Sequence, residues 1–193
     1  MCKKPGKAPC RECLSAIKAP TLALPPDGVD IAWALFSYEG VAKRLITGMK
    51  YSNNRVVLPG LGRAMANIVC SSSIHVDFEI VTWIPTTSMR RRRRGYDQAE
   101  LLAKAVAGEL SLPSRRLLIH HPGPAQTGRN LASRKSGLLI DPLGRCPSRV
   151  LLIDDVVTSG SSASASAAAL RNAGARFIAM LSAARTPRTP GQK

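Results

Sequence analysis

The sequence predicts an α/β fold around a largely parallel sheet, and three observations predict it. Its 193 residues suit one such domain with a small appendage better than two full domains. Between residues 29 and 184, short apolar runs alternate with segments of helical period, the pattern of strand–helix–strand units. One of those runs, Val150–Ile153, is apolar at four successive positions, as a strand buried on both faces requires. Composition agrees: 45% hydrophobic and 21% charged residues exclude a disordered chain. Aromatics are only 4%, so the core must be built from Leu, Ile, Val and Ala.

Taken in order, residues 1–28 form a Cys-, Lys- and Pro-rich lead without periodicity. Val29–Tyr38 reads as a strand. Val41, Leu45, Ile46 and Met49 then share one helical face, with Lys43, Arg44 and Lys50 off it. A second helix is expected over Val57–Val69, and a buried strand over Phe78–Ile84, ended by Pro85. After a basic loop at Arg90–Arg94, Asp97 with Glu100 resembles a capping box, and Leu101, Leu102, Ala105, Val106 and Leu110 supply the buried face of the helix it opens. Leu117–Ile119 is a short strand, and Pro122–Gly137 a polar loop. A strand over Arg149–Ile153 is followed by a helix over Ser162–Asn172, with Gly174 as its stop. Arg176–Leu181 closes the sheet, and residues 185–193 form a basic tail rich in Pro and Gly.

The net charge of +16 constrains partners rather than fold, favouring polyanions such as nucleic acid or phosphorylated metabolites. No run approaches the ~18 apolar residues of a spanning helix, and the basic N-terminus has no apolar signal core, so a cytoplasmic address without membrane contact is expected. Arg90–Arg94 could touch a polyanion, but aromatic stacking partners are few (Tyr38, Tyr51, Tyr96), which supports non-specific rather than specific nucleic-acid binding. His75, His120 and His121 lack ligand spacing and read as surface-loop residues. Trp33 and Trp83 read as core, and Cys70 and Cys146 as isolated thiols. Cys2, Cys10 and Cys13 have the spacing C-x7-C-x2-C. A structural zinc site needs four ligands, so Zn²⁺ at these three stays an open alternative. Oligomeric state is not legible.

The segment that carries chemistry is Val150 to Ser162. A buried strand delivers Asp154 and Asp155 where it ends, and ligands of open α/β sheets sit at the carboxyl ends of strands. Val156, Val157, Thr158, Ser159, Gly160, Ser161 and Ser162 then lead into a helix N-terminus, where free amides and the helix dipole favour an anion. Hydroxyls add donors, and Gly160 lets the backbone approach closely. Acids for sugar hydroxyls beside a phosphate-holding loop suit a phosphorylated ribose. The bland alternative is a strand–turn–helix connection whose hydroxyls merely cap the helix. Two rival motifs fail: no G-x-x-x-x-G-K-[ST] occurs, as nucleoside triphosphatases require, and no G-x-G-x-x-G, as dinucleotide folds require.

Val150–Ser162 resembles the 5-phosphoribosyl-1-pyrophosphate (PRPP) signature of type I phosphoribosyltransferases. Tyr38-Glu39-Gly40 with Arg44-Leu45-Ile46 and Met49-Lys50-Tyr51, Arg94-Gly95-Tyr96-Asp97-Gln98-Ala99, and Gln126-Thr127-Gly128 are similar to segments of the ComF/GntX-type family of phosphoribosyltransferase-like proteins, some of which are associated with DNA uptake in competent bacteria. The resemblance implies a type I phosphoribosyltransferase-like fold. It places Asp154 and Asp155 on the ribose hydroxyls, Thr158–Ser162 on the 5′-phosphate, and Pro85, Thr86, Thr87 and Ser88 in the loop that receives pyrophosphate. Mg²⁺ would bridge the pyrophosphate and ribose oxygens, the loop around Pro122–Gly137 would close over the site, and Arg94 and Arg134 could contact the polyanion. It also relates the N-terminal cysteines to a zinc knuckle that is here incomplete. Thr158 stands where purine-salvage relatives carry an Asp base, so no general base is legible. The implied activity is Mg²⁺-dependent transfer of a 5-phosphoribosyl group to a nitrogenous acceptor. The alternatives are a non-catalytic PRPP- or nucleotide-binding accessory in DNA uptake, and a basic nucleic-acid accessory with a vestigial pocket.

Overall fold

A computed structural model of the chain describes residues 16–20, 23–51, 55–74, 76–121 and 139–187. The sheet has four strands, β1 (Ile31–Ser37), β2 (Ile80–Trp83), β5 (Arg149–Val157) and β6 (Phe177–Arg185), in the order β1-β6-β5-β2. All three pairings are parallel. The helices are α1 (Gly40–Tyr51), α2 (Leu58–Ser71), α3 (Ser88–Arg94), α4 (Gln98–Leu110) and α5 (Ser161–Asn172), and a separate antiparallel pair joins β3 (Leu118–His121) to β4 (Leu139–Pro142). The expected α/β architecture, a central parallel sheet flanked by helices, is what the chain forms.

Side-chain alternation along β5 sends its apolar residues to two cores. Leu151 and Ile153 pack with Leu45, Ile46, Met65, Leu102 and Val106 of α1, α2 and α4. Val150 and Leu152 pack with Ala163, Ala167 and Leu170 of α5 and with Leu118 and Ile140 of the β3–β4 pair. Burying each Val, Leu or Ile contributes roughly 1.5–3 kcal/mol, and all four central residues of β5, Val150 to Ile153, are buried this way. The predicted face of α1 is correct at every position: Val41, Leu45, Ile46 and Met49 are buried.

Several expectations need correction. The strand expected to end at Ile153 continues to Val157, because β6 pairs alongside it through Asp154↔Ser182, Val156↔Ala184 and Val157↔Arg185. Arg90–Arg94 lies in helix α3, not in a loop; arginine is a good helix former, and the turn stops only at Gly95, whose φ is +78°. The buried face of α4 is Ala99, Leu102, Ala103, Val106 and Ala107, while Leu101, Ala105 and Leu110 are half-exposed. Small alanines face the sheet because α4 lies close to it. The last strand does not close an edge; it sits between β1 and β5. His120 and His121 belong to β3, with Nε2 of His121 3.3 Å from Asp141 Oδ2. Trp83 is buried, whereas Trp33 on edge strand β1 is only partly so. The polar loop 122–137, the cysteines at 2, 10 and 13, His75 and Arg134 lie outside the described residues.

Two glycines of α2 make opposite predictions. A Cβ on Gly62 would lie 2.6 Å from Ala105 Cβ and 3.0 Å from the Ala105 carbonyl carbon, whereas one on Gly60 meets nothing within 4 Å. Overpacking costs about 1–3 kcal/mol, against a helix-propensity gain of about 1 kcal/mol. Gly62→Ala should therefore lower, and Gly60→Ala raise, the urea midpoint of unfolding. Shifts of the same sign would show that α2 and α4 are not in this close contact.

Candidate functional site

Two strands that leave the sheet toward opposite faces create a cleft at its carboxyl edge. After β5 the chain enters α5, which packs on one face; after β2 it enters α3 and then α4, which packs on the other. β5 and β2 are neighbours, so the divergence opens a crevice between them, the position at which open α/β sheets bind ligands. The cleft, of ≈ 290 Å³, is lined by Asp154, Asp155, Val156, Thr158 and Ser162 from one side and by Pro85, Thr86, Asp97 and Gln98 from the other, with Tyr38 at the end of β1.

A smaller pocket of ≈ 40 Å³ adjoins it, lined by Asp154 and the whole turn from Val156 to Ala163. Asp154, Val156, Thr158 and Ser162 belong to both walls. The turn is held by its own hydroxyls: Ser159 Oγ lies 2.9 Å from Ser161 Oγ and accepts the Ser161 N–H at 3.3 Å. Gly160 precedes α5 with a φ of +84°, and Pro26 Cγ lies 3.3 Å from where its Cβ would be. The left-handed backbone favours glycine here, and the approach of Pro26 leaves little room for a side chain. Asp154 Oδ1 accepts from the Asp155 N–H at 2.8 Å, which turns this carboxylate along the strand end.

The structure thus brings Asp154, Asp155 and the turn 156–162 together with Pro85 and Thr86, while Thr87 and Ser88 stand outside the cleft wall. Arg94 ends helix α3. Sequence reasoning did not single out Asp97, Gln98 or Tyr38 as wall residues. The available signal was position: a polar side chain opening a helix soon after a strand end must lie near the carboxyl edge. Asp97 caps α4, Oδ1 accepting the Ala99 N–H at 3.1 Å, while Oδ2 accepts the Thr86 N–H at 3.0 Å. Burial pushes its carboxyl above the usual carboxylate range; the amides of Thr86, Ala99 and Glu100 oppose this, and the nearby Asp155 charge adds to it.

The shift has a sign that can be tested. The native state holds the Asp97 proton more tightly than the unfolded chain does, so the stability this group contributes at low pH is lost as pH rises from the ordinary carboxylate range through its elevated native pKa. Asp97→Asn should remove that loss. The urea midpoint of the variant relative to the parent should rise between pH 4 and pH 7; parallel curves would dismiss the burial effect.

Outside the cleft, Cys146 Sγ donates to the Leu170 carbonyl at 3.3 Å, and burial raises its pKa, as for a structural thiol; Cys70 is free and exposed. Among the described residues, no group of three or more His, Cys, Asp or Glu is placed to hold a metal ion, and no helix is long and apolar enough to cross a membrane.

Fold and cleft together define an α/β protein with an acid-and-hydroxyl site at the carboxyl edge of a parallel sheet. No family model matches the chain, and no curated protein matches it in sequence. Among solved structures it is similar to the allosteric regulatory enzyme of purine biosynthesis, with 20% identity over 66% of this chain and 25% of that one and a TM-score of 0.43. It is also similar to glutamine phosphoribosylpyrophosphate amidotransferase from B. subtilis, with 21% identity over 66% of this chain and 26% of that one and a TM-score of 0.42. For orotate phosphoribosyltransferase from Aeropyrum pernix the identity is 20% over 72% of this chain and 62% of that one, with a TM-score of 0.36. The chain spans about a quarter of the length of the first two. These overlaps are partial and of low identity.

Proposed function

We propose that the cleft binds PRPP together with Mg²⁺ and that the protein transfers its 5-phosphoribosyl group to a nitrogenous acceptor. The observation that carries this reading is the wall that the two cavities share. A pocket walled by the 156–163 turn shares Asp154, Val156, Thr158 and Ser162 with a wider cleft that is lined by Asp155 and, opposite, by Pro85 and Thr86. A 5-phosphate in the turn sets the ribose against the two acids and points its anomeric carbon toward the loop after β2.

In that pose Asp154 and Asp155 accept from the ribose 2′- and 3′-hydroxyls and fix the ring. The amides and hydroxyls at the start of α5 hold the phosphate and anchor the substrate while the bond at C1 breaks. The C1–O bond to diphosphate cleaves, the acceptor nitrogen bonds to C1, and the nitrogen's proton is released. The two carboxylates lie where positive charge grows on the ribose, which they stabilise electrostatically. Mg²⁺ takes hard oxygen ligands, commonly one or two carboxylates plus ligand phosphates. Asp154 and Asp155 are such donors, so the residues present fit an ion carried in with the ligand rather than a preformed cage. Held by these carboxylates, such an ion would supply positive charge against the departing diphosphate.

Calorimetry with PRPP and Mg²⁺ tests occupancy, and diphosphate release with a panel of nitrogenous acceptors tests transfer. Binding with release from at least one acceptor is expected. Absence of binding to both PRPP and ribose 5-phosphate would overturn the reading, and binding without release across the panel would assign the accessory role instead.

A further inference from the structure

The two sides of the cleft differ in what already occupies their backbone donors. On the α5 side, the Ser161 amide meets a neutral hydroxyl, that of Ser159, at 3.3 Å. On the β2 side, the Thr86 amide meets a carboxylate, Asp97 Oδ2, at 3.0 Å. Asp97 is only 6% exposed, yet it forms part of the cleft wall with Asp155, whose charge it feels. An amide in a loop after a strand is an anion donor, and here the chain's own anion has taken it.

We infer that Asp97 determines specificity in this cleft: by holding the Thr86 amide and placing a second negative charge beside Asp155, it lets the β2 side accept a diphosphate only together with a divalent cation, while the α5 side takes a phosphate monoester without one. This rests on the phosphoribosyl reading and deepens it. Like charges lining one cleft repel more strongly where water is partly excluded, and a diphosphate carries several. A cation between carboxylates and phosphates reverses the sign of that interaction. The consequence is discrimination: free diphosphate and metal-free PRPP are turned away, and the cation becomes part of what the cleft recognises.

The test uses inorganic diphosphate and ribose 5-phosphate as separate calorimetric probes, each in EDTA and in Mg²⁺. The parent protein should bind ribose 5-phosphate in both media and diphosphate only in Mg²⁺. Asp97→Asn and Asp97→Ser both keep a good helix N-cap and release the Thr86 amide. In EDTA they should shift the diphosphate to ribose 5-phosphate affinity ratio toward diphosphate by about tenfold or more. An unshifted ratio in either folded variant overturns the role of Asp97 while leaving the phosphoribosyl reading intact. Equal diphosphate affinity of the parent in EDTA and Mg²⁺ also overturns it, without need of a variant. A parent that binds ribose 5-phosphate in neither medium overturns the phosphoribosyl reading, and this inference with it.

Discussion

Replacing Asp154 and Asp155 together by Asn should weaken the binding of PRPP with Mg²⁺ by about 10²-fold or more. A hydrogen bond to a charged group contributes roughly 1.5–3 kcal/mol. Two of them therefore come to ~3 kcal/mol at the low end, or about two decades at 1.4 kcal/mol per decade. The fold should tolerate the change. Both residues are partly exposed at the sheet edge, the replacements are isosteric, and neutralising Asp155 relieves its repulsion with Asp97. The melting temperature is thus the control: affinity should collapse while the transition stays in place. Unchanged affinity would remove these two acids from the site. Loss of affinity matched by loss of folding would show that their role is structural.

The largest stability effect is expected at Leu152. Leu152→Ala should cost about 3 kcal/mol, within the roughly 2–5 kcal/mol seen for such truncations. The residue is fully buried, and β5 is paired on both sides, to β6 and to β2. The neighbouring face of α5 is mostly alanine, with Ala163, Ala165, Ala167 and Ala169 beside Leu170. Alanines have no rotamers with which to fill the space, so most of the cavity should persist. At roughly 2–4 °C per kcal/mol for a chain of this size, the melting temperature should fall by about 6–12 °C. Leu143→Ala, at a side chain 52% exposed, should change stability by less than about 0.5 kcal/mol. If the two variants proved equally mild, α5 would not be packed on β5 as described.

Much of the candidate site was legible because its parts are contiguous. Strand β5, both acids, the hydroxyl turn and the start of α5 fall within fourteen consecutive residues, 149–162, and each signals through local chemistry: apolar run, carboxylates, small hydroxyls, glycine. The extension of β5 beyond Ile153 was not legible, since Asp154 and Asp155 break the apolar pattern and only the partner strand keeps them extended. Strand β4, and with it the pairing to β3, escaped for a similar reason. Four residues, Leu139–Pro142, carry too little periodicity to show as a strand without Leu118–His121 lying opposite.

By itself, then, the order of residues determined the α/β class, the apolar stripe of α1, the buried central strand and the acid–hydroxyl turn, because propensity and periodicity act over a few neighbours along the chain. Tertiary structure alone decided that β6 lies between β1 and β5, that β5 and β2 part at the cleft, and that Asp97 reaches back eleven positions to the Thr86 amide. Those outcomes depend on which faces of the sheet the helices cover and on how closely alanine surfaces approach it. Both are set by packing between segments far apart in the chain, which no local pattern encodes.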